Sequence, residues 1–178
     1  CRMTHFSMIA ATDDKNGIGK EGEIPWHLKQ DLHRFSLVTK GNIVIMGRKT
    51  WESLPENRRP LPERVNIVVT HDAAYSLPTG VEKSKSLEEA LERAAEIMKE
   101  KEIPKVFVIG GGQIYEEGIK SEHCKDLWIT RVKGNFGCDA FFPEIPTEFQ
   151  KIADSDHFKE PSPNGEIPFH FEIWRKER

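Results

Sequence analysis

Apolar residues fall along this chain in two rhythms. Five short runs are bounded by turn residues and have strand length: Phe6-Ser-Met-Ile-Ala-Ala11, Asn42-Ile-Val-Ile-Met46, Val65-Asn-Ile-Val-Val69, Lys105-Val-Phe-Val-Ile109 and Leu127-Trp-Ile-Thr-Arg-Val132. Their continuous apolar character predicts strands buried on both faces. Between them the spacing changes to that of helices. Leu28, Leu32 and Phe35 recur at helical intervals from about Trp26 to Thr39, and a short helical stretch follows Gly47 to about Leu54. Ser86-Leu87-Glu88-Glu89 is a capping box, whose side chains satisfy free N–H groups at a helix start. Behind it Leu87, Ala90, Leu91, Ala94, Ala95 and Met98 keep to one face. A further helix is predicted from Gly110-Gly111-Gly112 to about Gly118.

Residues 13–25 contain Gly17, Gly19, Gly22 and Pro25 and read as a long mobile loop. Near the end, residues 149–156 and 168–175 read as a hairpin, with Asn164-Gly165 in the turn region. Strands that alternate with helices predict an α/β class with a largely parallel sheet and an antiparallel C-terminal edge. No repeat or low-complexity linker divides the 178 residues, so a single domain over 1–178 is expected.

Composition narrows the partners. The formal net charge is −3 and charges of both signs are interspersed, which argues against nucleic acid and membrane surfaces. No apolar run approaches the ~20 residues of a membrane span, and the first residues show neither the basic start nor the apolar core of a signal peptide. Cys1, Cys124 and Cys138 form neither a disulfide framework nor a metal spacing, so no metal and a cytoplasmic setting are expected. Either Met3 is the natural start or the chain is trimmed from something longer.

Four features suggest chemistry. Asp31 lies on the apolar stripe, at i+3 from Leu28 and i−4 from Phe35. A carboxylate there needs a partner. It could pair with His27 at i−4 or tip into solvent; alternatively it lines a pocket and binds a cationic or amidine-like group. Gly110-Gly111-Gly112 joins a strand end to a helix start, where open α/β sheets bind ligands and a phosphate can approach the backbone. The same glycines would also serve a tight turn. Gly47-Arg48-Lys49-Thr50 offers two cations and a hydroxyl at another such junction, without P-loop spacing. It reads as a phosphate cradle or as a solvated basic helix start. Arg64, just before a buried strand, is either a surface residue or a two-pronged grip for a carboxylate. Together these residues point to a nucleotide-type ligand with a carboxylate-bearing partner.

Taken jointly, the motifs resemble the dihydrofolate reductase family. Pro25-Trp26-His27-Leu28-Lys29-Gln30-Asp31 is similar to its PWxLxxD segment, and Gly47-Arg48-Lys49-Thr50-Trp51-Glu52-Ser53-Leu54 to GRxTWESI. Arg59-Pro60-Leu61 with Arg64-Val65-Asn66 resembles RPLxxRxN; Ile109 with the triple glycine, Tyr115, Thr130 and Phe142-Pro143 follow in the family's order. The match spans about residues 6 to 175. A reductase of the riboflavin pathway would share the fold and cofactor site but lack the Asp31 and Arg64 segments. A non-catalytic nucleotide-binding module would leave Asp31 without a purpose.

The resemblance implies a three-layer fold with a mostly parallel eight-stranded sheet, and NADPH-dependent reduction of dihydrofolate to tetrahydrofolate by a cytoplasmic monomer that also binds antifolates. Asp31 would bind the pterin and promote protonation at N5, with Thr130 bonded to its carboxylate and Trp26 holding a water beside it. Ile9 and Ile109 would offer backbone carbonyls, while Leu32, Phe35, Leu54 and Leu61 would pack the rings. Arg64 would hold the glutamate tail. On the cofactor side, Ala11, Ile18, Gly19 and Tyr115 would frame the nicotinamide, and the loop over 17–24 would close on it. Gly110, Gly111 and Gly112, with a cis peptide between the first two, would approach the pyrophosphate beside Gln113 and Ile114. Gly47, Arg48, Lys49 and Thr50 would meet cofactor phosphates, with Thr70 and His71 near the adenosine. His71 stands where family members often carry arginine or serine, and Gln113 where some carry a cation.

Overall fold

A computed structural model describes residues 4–177; Cys1 and the Met3 start lie outside the described residues. The chain forms β1 (Phe6–Thr12), β2 (Gly17–Gly19), α1 (Lys29–Thr39), β3 (Ile43–Gly47), α2 (Arg48–Ser53), β4 (Val65–Val69) and β5 (Glu82–Ser84). There follow α3 (Leu87–Lys101), β6 (Val106–Gly110), α4 (Gly112–Ile119), β7 (Cys124–Val132), β8 (Ala140–Phe141), β9 (Phe149–Asp154), β10 (Phe158–Ser162) and β11 (Gly165–Lys176). The main sheet runs β10-β11-β7-β1-β6-β3-β4-β5, and β9 also pairs with β11. Pairings from β7 across to β5 are parallel, whereas those of β11 with β7, β9 and β10 are antiparallel.

The five continuous apolar runs become strands because both faces of the sheet are covered. In β3, Ile43 and Ile45 join a core with Phe6, Met8 and the α3 residues Leu87, Ala90, Leu91, Ala94 and Ile97. Their neighbours Val44 and Met46 face the other way, onto Trp51, Leu61 and Val68. The pleat sends alternate residues to opposite faces, so a strand covered on both sides needs apolar residues throughout. Each such side chain contributes roughly 1.5–3 kcal/mol by leaving water. The capping box forms as predicted, with Glu89 N–H donating to Ser86 Oγ at 3.0 Å, although Glu89 reaches back to Lys85 N–H. On α3 it is Ile97, rather than Ala95, that is buried.

Two expectations are corrected. Residues 13–25 are not a plain loop: β2 pairs with β8, and Lys20 bridges Glu23. Asp13 anchors the segment, its Oδ1 accepting from Gly17 N–H at 2.7 Å and Lys15 N–H at 2.9 Å, and its Oδ2 from Phe136 N–H at 3.0 Å. Burial works against that charge, but these N–H donors outweigh it and hold the carboxyl below its ordinary value. Second, α1 starts at Lys29 rather than near Trp26. Its N-cap position, Leu28, has no capping side chain, and Glu160 on β10 substitutes by accepting from Lys29 N–H at 2.7 Å and Gln30 N–H at 2.8 Å. A carboxylate at free helix N–H groups satisfies them and suits the helix dipole. The expected mostly parallel sheet with an antiparallel C-terminal edge is present, with nine strands in all. Ser155 separates β9 from β10, with Phe171 N–H donating to its Oγ at 2.8 Å, so two strands share one edge of the 12-residue β11. The Asn164-Gly165 turn joins β10 to β11, so the hairpin partner expected over 149–156 is Phe158–Ser162, while Phe149–Asp154 pairs with the far half of β11.

Candidate active site

The parallel strands β1, β3, β4 and β6 all end at one edge of the sheet, so their following turns gather there. Open α/β sheets use this edge for ligands because loops there can be shaped without disturbing the core.

Asp31 reaches the site from α1. Its Oδ1 accepts a 2.6 Å hydrogen bond from Thr130 Oγ1 on β7. His27 is exposed and is not the partner of this carboxylate. Thr130 pairs with Ala11 on one side and with Phe171 on the other. Burial pushes the Asp31 carboxyl above its ordinary value; the Thr130 bond and the nearby Arg34 charge pull it down, and Glu160 pushes it up. Its surroundings therefore favour the protonated form more than water does. An acid so placed can bind a polar ring and hand on a proton.

Beside it, Phe35, Leu54 and Ile109 pack against the buried cluster that contains Leu61 and Trp51. Phe35, Leu54 and Leu61, expected to pack the rings, share one apolar wall, and Ile109, expected to offer a carbonyl, joins it. Leu32 does not join it: despite its helical spacing it is 50% exposed. The wall is narrower than the apolar stripe implied, because Leu28 turns into a separate cluster with Trp26, Val132 and Phe169. Trp26 is buried there, edge-on to Phe136 with ring centroids 5.1 Å apart. Arg64 donates through Nε to Pro62 O at 2.8 Å and through Nη1 to Thr39 Oγ1 at 2.9 Å, which orients its guanidinium at the end of α1.

The glycines form a second, backbone-lined part. The Gly110–Gly111 peptide is cis, and Gly110 has φ 134°. A Cβ on Gly110 would stand 3.1 Å from Thr50 Oγ1, and one on Gly111 3.3 Å from the same oxygen. A Cβ on Gly47 would lie 3.3 Å from Ile114 Cγ1, and one on Gly112 3.9 Å from Ile18 Cδ1. Residues of β2, β3, α2, β6 and α4 thus converge on one cradle where a side chain would occupy the approach to the backbone. Gly19 stands beyond it on β2, half-exposed. Tyr115 is buried, and its hydroxyl donates to Ile9 O at 2.6 Å. Burial, then the Asp31 charge, pushes this phenol far above its ordinary value, so it stays a neutral donor.

The cationic residues lie further out. Gly47 pairs with Val69, so Arg48 and the Thr70-His71 pair leave the sheet side by side. Arg48 sits 4.0 Å from Glu52 and over the Tyr75 ring at 5.7 Å. Lys49, His71 and Gln113 are exposed, and Thr70 is buried. Two residues that face Asp31 escaped the sequence reading. Arg34 carried a signal, since it stands at i+3 from the acid; Glu160, from a distant strand, carried none.

The chain matches the family model described as dihydrofolate reductase over residues 5–176. It is similar to the dihydrofolate reductase of Aedes albopictus, 40% identical over 184 residues that cover 98% of each chain. That of Drosophila melanogaster is 38% identical over 183 residues, covering 98% of this chain and 99% of the relative. The Bos taurus protein is 38% identical over 156 residues, 83% of each.

Proposed function

The chain belongs to the dihydrofolate reductase family, and on that footing we infer that residues 1–178 form one reductase domain that converts dihydrofolate to tetrahydrofolate with NADPH as reductant. The observation that carries the reading is Asp31: a half-buried acid, held by Thr130 beside the Phe35, Leu54 and Ile109 wall.

In this reading the pterin lies on that wall. Asp31 binds its amino and N3 groups, and Ile9 and Ile109 offer carbonyls. Leu32 closes the exposed side, and Arg64 holds the glutamate carboxylate in a charge-assisted pair. The acid stands beside N3, so protonation of N5 runs through a water held near Trp26. Raising the acid's proton affinity suits this role, because a general acid works best when it ionises near the working pH.

The cradle of Gly47 and Gly110 to Gly112 fits a pyrophosphate, since its backbone is open where Cβ atoms would crowd it. When bound, the nicotinamide supplies the hydride that goes to C6 of the pterin. Ala11, Ile18, Gly19 and Tyr115 frame its ring, Ile114 and Gln113 flank the cradle, and the segment over 17–24 excludes water. Arg48, Lys49, Thr50, Thr70 and His71 serve the phosphates and adenosine, which favours NADPH over NADH. Positioning the two ligands in line accounts for most of the rate.

Among the described residues no helix is long and apolar enough to cross a membrane, and Cys124 and Cys138 are free thiols. A cytoplasmic monomer that binds dihydrofolate and antifolates goes with this reading. Loss of NADPH absorbance on addition of dihydrofolate is the test. Absence of turnover with dihydrofolate, alongside turnover of a riboflavin-pathway substrate, would replace it.

A further inference from the structure

Arg34 follows Asp31 by one helical turn, and residues at i and i+3 share a helix face. Its guanidinium carbon lies 4.2 Å from the centroid of the Phe171 ring and 5.3 Å from that of Trp128. These rings belong to β11 and β7, and Phe171 pairs directly across with Thr130. Helix α1 therefore meets two adjacent strands through two neighbouring contacts: the Asp31 carboxylate on Thr130, and the Arg34 cation on Phe171. A half-buried arginine is usually gripped by a carboxylate. Here, among the described residues, the Arg34 guanidinium makes no side-chain hydrogen bond and no close ion pair. Aromatic faces hold it instead, through cation–π attraction.

A guanidinium keeps its charge at any working pH, so it acts as a fixed positive charge beside the acid. The other groups that face Asp31 are Thr130 on β7, a neutral donor; Glu160 on β10, an anion at the start of α1; and Tyr115 on α4, a neutral phenol. Only Arg34 among them is positive. Its field favours the ionised acid, opposing burial and Glu160.

We propose that Arg34 is a positioning residue for the reaction: clamped on Phe171 and Trp128, its fixed charge holds the Asp31 helix face to the sheet and sets the pH range of turnover. The proposal rests on Asp31 being the acid of the site. Removing the charge should let Asp31 keep its proton to higher pH, so the enzyme should stay active further into alkali.

The test is the pH profile of single-turnover dihydrofolate reduction in Arg34→Met, Arg34→Lys and Asp31→Asn. In Arg34→Met the alkaline midpoint should rise by more than ~0.5 pH unit, the least that a unit charge at helix-neighbour distance exerts through water-like screening. Arg34→Lys should restore it. Should the Met variant fail to fold, Arg34→Gln keeps a flat polar group on the rings without the charge and should show the same rise. If Asp31→Asn abolishes the alkaline limb and the neutral Arg34 variants leave the midpoint in place, the acid stands and the proposal alone is overturned. If Asp31→Asn retains the wild-type profile, Asp31 is not the acid and the proposal falls with it.

Discussion

Asp31 and Thr130 stand 99 positions apart in the chain and 2.6 Å apart in space. The bond fixes the acid's rotamer, while burial raises its proton affinity against the pull of that bond and of Arg34. An acid raised in this way keeps its proton in the folded protein where the unfolded chain has lost it. Folding stability therefore falls as pH rises from about 3.9 through the folded value, and stays lower above it.

Asparagine cannot ionise and can still accept from Thr130. Asp31→Asn should melt above wild type at pH 7, with the difference shrinking toward pH 4. Turnover at pH 7 should drop roughly 10²–10⁴-fold, as for loss of a general acid. Paired melting curves and rates check both signs; a variant that melts lower and turns over normally would remove Asp31 from the site.

The guanidinium of Arg64 is oriented by Pro62 O and Thr39 Oγ1. Arg64→Leu should weaken a glutamate-tailed folate by about 1.5–3 kcal/mol, the range for hydrogen bonds to charged groups, and a tailless pterin not at all. Thr39→Val should produce a smaller loss with the same selectivity, by freeing the guanidinium to rotate. Calorimetry with both ligands decides the matter, since equal losses would mean that Arg64 acts on the fold.

His71 leaves β4 beside Arg48, where the 2′-phosphate of NADPH would be read. His71→Arg should raise the ratio of NADH to NADPH dissociation constants about tenfold, and His71→Ala should lower it, a factor of ten being ~1.4 kcal/mol. Titration of the three proteins with each cofactor gives the ratio. An unchanged ratio across all three leaves Arg48 as the cation for that phosphate.

Gly118 faces the core from α4. A Cβ there would lie 2.6 Å from Met8 Sδ and 3.5 Å from the Phe6 ring, both fully buried. Overpacking typically costs 1–3 kcal/mol, which exceeds the ~1 kcal/mol that alanine gains over glycine in a helix. Gly118→Ala should unfold at lower urea while turnover per folded molecule stays normal. A higher urea midpoint would show that Met8 moves aside freely.

The parallel strands, the capped α3 and the glycine turns were legible in the sequence because each is specified locally. A continuous apolar run needs two covered faces, the Ser86 cap bonds a group only three residues on, and glycine marks backbone that a side chain would block. The family was legible too, since its motifs keep their order along the chain. Tertiary structure alone decided the start of α1, which depends on Glu160 from β10, and the pairing of β2 with β8 inside an apparent loop. It also decided which side of α1 is covered: Leu28 turns inward and Leu32 outward, although their helical spacing treats them alike. The environment of Asp31 belongs to this second class. Helical spacing places the acid on a face with Arg34 one turn on, but the burial, the hydroxyl and the carboxylate that also set its proton affinity come only when α1 packs on β7 and β10, because desolvation, charge and hydrogen bonding act through space rather than along the chain.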